Sequence, residues 1–128
     1  TEARGARDAR GRLRAGIRAC LRTTVENRDF WTVFIEFWGE ALHDRRLAGV
    51  NRQAYARARR LIGAALAGGI AAGEFRRLDV GEAAAVVLAL LDGLSLQLTC
   101  DRGLMTLPRA ARVAEAALLP YLATGAST

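Results

Sequence analysis

Residues 80–101, VGEAAAVVLALLDGLSLQLTCD, constrain this chain more than any other stretch, because they form a helical pattern that is apolar all round. A surface helix carries one apolar stripe, so a helix without a polar side needs cover on more than one face. At 100° per residue Ala83, Val87, Leu91, Leu94 and Leu98 fall on one side, with Ala85, Ala89, Gly93 and Leu96 nearly opposite. Asp92 interrupts the run at its centre, and carrying that carboxyl into lipid would cost about 2.5–3.5 kcal/mol. The stretch is therefore expected to be a core helix of a globular protein and not a membrane span.

The rest of the chain supplies helices to cover it. A length of 128 residues suits one domain, expected to span residues 1–128, and a composition dominated by Ala, Leu and Arg with two prolines favours packed helices over sheet. Apolar spacing predicts a first helix over 8–25, with Leu13, Ile17, Cys20, Leu21 and Thr24 on one face and Arg10, Arg14, Arg18 and Arg22 beside it. A second helix, over 28–43 with Asn27 as its cap, carries Phe30, Trp31, Phe34, Phe37 and Trp38 and is expected to be largely buried. A third, over 46–72, is expected to turn Leu47, Val50, Ala54, Ala58, Leu61, Ile62 and Ala65 inward, together with Asn51 and Tyr55, and to stop at Gly73. Asp79 and Glu82 form a capping box opening the helix over 80–101, and Pro108 sits in the first turn of a fifth helix over 107–123. That last helix points Ala110, Val113, Ala114, Ala117, Leu118 and Tyr121 one way, and the tail TGAST is expected to fray.

Charge and chemistry exclude several function classes. All 19 basic residues are Arg, and residues 1–28 hold eight of them against three acids, so the first helix alone is markedly basic. That face lacks the interleaved aromatics of a single-strand binder and is expected to be solvated or to contact a neighbouring module. Cys20 and Cys100 belong to no CxxC pair, which suggests a reducing, cytoplasmic setting with free thiols. The one histidine, His43, lies near a helix end, and neither a metal-ligand spacing nor a nucleophile, base and orienter set is visible. Neither enzymatic activity nor a cofactor nor a metal is expected.

The small row Ala85, Ala89 and Gly93 would let another helix approach closely, and Gly93 inside a helix costs about 1 kcal/mol relative to Ala unless a contact offsets it. One economical solution is a symmetric dimer in which the last two helices of each chain form a four-helix interface, built from Ala85, Ala89, Asp92, Gly93, Leu96, Gln97, Val113, Ala117 and Tyr121. The other is a central helix enclosed within one chain.

The stretch GGIAAGEFRRLDVGEAAAVVLALLDGLSLQL, residues 68–98, resembles the C-terminal domain of TetR-family transcriptional regulators, and FWTVFIEFWGEALHDRRL with YARARRLI looks like the helices that precede it there. The resemblance covers residues 8–123 and implies an all-helical, homodimeric effector-binding domain of a bacterial regulator, with a small-molecule effector in an apolar cavity. Family members begin with a helix-turn-helix head that reads DNA; nothing here matches it, so DNA contact is expected only through a head outside this chain. Within that frame Trp31, Phe34, Trp38, Asn51, Tyr55, Leu91 and Ser95 are candidate pocket residues for a small apolar or aromatic ligand. The alternative is a helical dimerisation or adaptor module with a filled core and no ligand.

Overall fold

A computed structural model describes residues 8–125; the end of the tail, 126–128, and residues 1–7 lie outside the described residues. Five helices follow one another: α1 (Ala9–Glu26), α2 (Arg28–Ala41), α3 (Arg45–Ala71), α4 (Val80–Cys100) and α5 (Leu107–Leu122). Their starts are set by short polar side chains that accept the otherwise unpaired first-turn N–H groups. Asp8 accepts from Gly11 N at 2.6 Å, Asp44 from Arg46 N at 2.9 Å, Asp79 from Glu82 N at 2.9 Å and Thr106 from Arg109 N at 3.4 Å. The exception is α2. Asn27, expected to cap it, turns its Nδ2 back to donate to the Thr23 carbonyl at 2.9 Å and so closes α1 instead. With a single residue between the two helices, the unpaired carbonyls of α1 are the nearer partners.

The end of α3 is a Schellman motif. Gly73 takes φ +75°, its N–H donates to Ile70 O at 3.0 Å, and Glu74 N–H donates to Gly69 O at 2.9 Å. The connector that follows ties distant ends together. Glu74 Oε2 accepts from Ala9 N at 2.6 Å and Arg10 N at 3.3 Å, holding the first turn of α1. Arg76 donates through its backbone to Leu122 O at 2.9 Å and through Nε to Tyr121 O at 2.7 Å, holding the end of α5. Between them the buried Phe75 ring lies directly on Gly69, where a Cβ would overlap it. Gly69→Ala is therefore expected to destabilise by about 1–3 kcal/mol through overpacking. Gly68→Ala, whose Cβ would meet nothing within 4 Å, should instead gain about 0.5–1 kcal/mol from helix propensity. Opposite shifts in thermal midpoint at adjacent positions, followed by circular dichroism, check this.

The core lies around α4, which packs against α1, α3 and α5. Ala83, Ala84, Val87, Leu94 and Leu98 of α4 meet Ile17 and Leu21 of α1, Leu66 of α3, and Ala110, Ala114, Leu118 and Leu122 of α5. By length and apolarity α4 alone among the described helices could cross a membrane, yet in this fold it is the central helix of the bundle. Its buried hydroxyl, Ser95, is 3.1 Å from Thr24 Oγ1, which satisfies both groups inside the core. On the surface Glu115 of α5 pairs with Arg18 Nε at 2.7 Å and Arg14 Nη2 at 3.4 Å, so part of the basic row of α1 is neutralised within the fold.

Three expected faces are corrected. The second helix is not largely buried: only Ala41 of α2 is fully covered, while Phe30 and Val33 each remain 63% exposed. Its aromatics shield one another in a ladder, with ring centroids of Phe34 at 6.0 Å from Phe30, 5.5 Å from Trp31 and 5.1 Å from Trp38. The inward side of α3 is rotated from the expected one, since Val50 and Leu61 are exposed, as are Ala54 and Ala65, while Gly63, Leu66 and Gly69 are buried. Glycines draw the neighbouring segments close, and a count of apolar side chains passes over them. On α5, Val113 and Ala117 likewise face away from Ala110, Ala114 and Leu118 and are exposed in the single chain.

Candidate functional site

Two features adjoin in the middle of the bundle. The first is a cavity of about 620 Å³ between α1, α3 and α4, running from Ala9, Gly68 and Phe75 to Cys20, Ala58 and Leu91. Small side chains open it: Gly16 and Gly68 line it, and a Cβ on either would meet nothing within 4 Å. The walls are otherwise apolar, and among the described residues Arg12 is the only charged one lining them. Arg12 and Leu61 line the cavity while staying exposed, which opens it to solvent.

The second feature is a polar corner beyond the Cys20 end. Tyr55 lies one turn before Ala58 on α3, and Asp92 follows Leu91 on α4; the Tyr55 hydroxyl donates to Asp92 Oδ2 at 2.6 Å. The Tyr55 ring is 6.5 Å from that of Trp38, which reaches across from α2 and contacts Trp31 at 6.5 Å. Arg59 lies over the Tyr55 ring at 5.7 Å. Two buried polar atoms of this region, Trp38 Nε1 and Asn51 Oδ1, have no hydrogen-bond partner among the described residues.

The electrostatics follow from that packing. Burial pushes the Asp92 carboxyl above its ordinary 3.8 and outweighs the opposing hydrogen bond from Tyr55. Burial and then the Asp92 hydrogen bond raise the Tyr55 phenol, so the proton stays on Tyr55. Burial, followed by the charge of Asp92, also raises the Cys20 thiol. No arginine pairs with Asp92 among the described residues. A half-buried carboxylate without a basic partner, flanked by aromatic rings, is chemically suited to an organic cation. Among the described residues no cluster of metal ligands is present.

Trp31, Phe34, Trp38, Asn51 and Tyr55 gather at the polar corner, and Leu91 lines the cavity. Ser95 stands apart, engaged with Thr24 between α1 and α4. Asp92, expected at a seam between chains or at a pocket edge, accepts from the Tyr55 hydroxyl within its own chain. Tyr121, expected at the same seam, is half-buried under the Arg76 guanidinium at 5.0 Å. Ala85, Ala89, Leu96, Gln97, Val113 and Ala117 are exposed along α4 and α5, with Gly93 half-buried among them. The sequence reading missed the cavity walls contributed by Ala9, Arg12, Gly16, Cys20 and Phe75; the small residues recurring on the facing stripes of α1 and α3 were the available signal.

An all-helical domain with a solvent-open apolar cavity near a charged aromatic corner has the organisation of a ligand-binding domain. Residues 9–123 match the family described as BetI-type transcriptional repressor, C-terminal, and the chain belongs to that family, within the TetR-type regulators it resembles in sequence. Among solved structures it is similar to a protein from Saccharomonospora viridis described as a transcriptional regulator, in complex with choline. The TM-score is 0.77 at 25% identity, covering 97% of this chain and 65% of that one. The chain thus spans slightly under two-thirds of that protein's length. No curated protein matches it significantly.

Proposed function

We propose that this domain is the effector-sensing and homodimerising part of a cytoplasmic, TetR-like bacterial regulator, acting by binding and not by catalysis, and that its effector is a small organic cation. The observation that carries the proposal is Asp92: a half-buried carboxylate bonded to Tyr55 beside Trp38, with no basic residue paired to it among the described residues. A quaternary ammonium ion would neutralise that charge and contact the faces of Trp38 and Tyr55 through cation–π attraction worth about 0.5–2 kcal/mol. A hydroxyl on the same ligand could use the unpaired Trp38 Nε1–H as donor and Asn51 Oδ1 as acceptor. The choline bound by the S. viridis protein has both groups, which supports this choice over a purely apolar or aromatic ligand. The cavity weighs against a filled-core adaptor module without a ligand.

Regulation then works as a population shift. The ligand would bridge α3 and α4 beside Cys20 of α1, and α1 is the helix whose first turn Glu74 holds to the α3–α4 connector. Repositioning α1 would alter the spacing of two DNA-reading heads outside this chain, carried by a dimer built on the exposed α4–α5 face. Trp31 and Trp38 are the chain's only tryptophans, so the site reports on itself. Titration with choline should change tryptophan emission saturably and raise the thermal midpoint; a flat emission response with an unmoved midpoint would contradict the proposal.

A further inference from the structure

We infer that the effector is larger than choline: an ammonium amphiphile whose cationic head sits at Tyr55 and Asp92 and whose apolar tail runs along the α1–α3–α4 cavity toward Ala9 and Phe75. The inference rests on the cation site proposed above. It adds the occupant of a space that a small cation would leave mostly empty, since 620 Å³ is a volume suited to a drug-sized ligand. Tyr55 and Asp92 do not themselves line the cavity, but Ala58, one helical turn after Tyr55, and Leu91, the chain neighbour of Asp92, line it at the end where Cys20 lies, so the head is placed beside that end and the tail within it.

Length and polarity fix the orientation. From Cys20 back to Ala9 the cavity follows eleven residues of α1, about 16 Å at the helical rise, room for an extended chain of several methylenes. Its walls along that path offer Leu13, Ile17, Ile62 and Val87 and, among the described residues, no acidic group. Among the described residues the one charge on them, Arg12, lies toward the end opposite Asp92 and repels a cation, so the head belongs at the carboxylate and the tail beyond it.

The test is isothermal calorimetry of the intact chain with alkyltrimethylammonium ions from tetramethyl to octyl, kept below their micelle concentrations, beside alkanesulfonates of matched length. Affinity in the ammonium series should rise about three- to fourfold per methylene. Gly16→Leu, which projects a side chain into the cavity, should flatten that rise, with circular dichroism verifying the fold. Equal affinity for tetramethyl and octyl ions would overturn the inference and leave the cation site standing. A steep rise untouched by a folded Gly16→Leu would also overturn it, because the tail would then lie elsewhere. Sulfonates binding as tightly as ammonium ions of the same length, or no binding by any ammonium ion, would remove the cation site itself and the inference with it.

Discussion

Replacing Asp92 by Asn should weaken choline binding by about 30- to 150-fold, the equivalent of about 2–3 kcal/mol, while making the ligand-free domain more stable. The two effects share one cause. Burial raises the Asp92 carboxyl, so the folded state holds that proton more tightly than the unfolded chain does. An ionised Asp92 therefore opposes folding at neutral pH, and the penalty fades as pH falls through the raised range. Asn removes the charge and keeps an acceptor for the Tyr55 hydroxyl, so the thermal midpoint should rise by a few degrees at neutral pH and less in acid. Choline has no proton to lose near neutrality. Its affinity for the unaltered protein should accordingly decline on acidification, beginning above the ordinary Asp value of 3.8. Glu115 runs the other way: although partial burial opposes it, the Arg18 pairing lowers its carboxyl. Its contribution to stability, present above the unfolded value, is lost as pH falls through the lowered one. Acid scans of stability should for that reason be compared between the unaltered protein and the Asp92→Asn variant, with calorimetric choline affinity measured alongside.

The substitution Ala89→Arg should convert a dimer into a folded monomer. Ala89 is exposed in the single chain and lies beside Ala85 and Gly93 on the outer side of α4, so the change leaves the protomer core untouched. In an isologous interface the same position appears twice, and each dimer would have to accommodate two bulky, charged side chains. A loss of at least about 4 kcal/mol, or about a thousandfold in dissociation constant, is the expected scale. Sedimentation should give twice the chain mass of 13.8 kDa for the unaltered protein and the chain mass for the variant. An unaltered protein that sediments as a monomer at high concentration would remove the dimer from the proposal without touching Asp92.

What was legible in the sequence was local. The Asp79 cap, the Gly73 stop and the two faces of α4 depend on residues a few positions apart, and each is visible in spacing alone. The side of α3 that turns inward was misread because its contacts are made by Gly63 and Gly69, which let Val80 and Phe75 approach and add nothing to an apolar count. The exposure of α2 was hidden for a related reason: five aromatics can cover one another as well as a core. Within the site, residue types were readable but partnerships were not. Tyr55 and Asp92 are 37 positions apart, Thr24 and Ser95 are 71, and only the crossing of α1, α3 and α4 decides which pair is enclosed in the core and which forms the half-buried polar corner. The cavity itself is space left by small residues on α1 and α3 and closed by Val87, Leu88 and Leu91 of α4, and no single helix records it.

The central claim is that this domain binds a positive charge at Asp92. The most direct measurement is calorimetric titration with choline and with 3,3-dimethylbutan-1-ol, its neutral isostere, which matches shape and hydroxyl and lacks the charge. Choline is expected to bind at least about 30-fold more tightly, a difference of about 2 kcal/mol. Equal affinities, or preference for the neutral alcohol, would contradict the assignment of Asp92 as the seat of a cation.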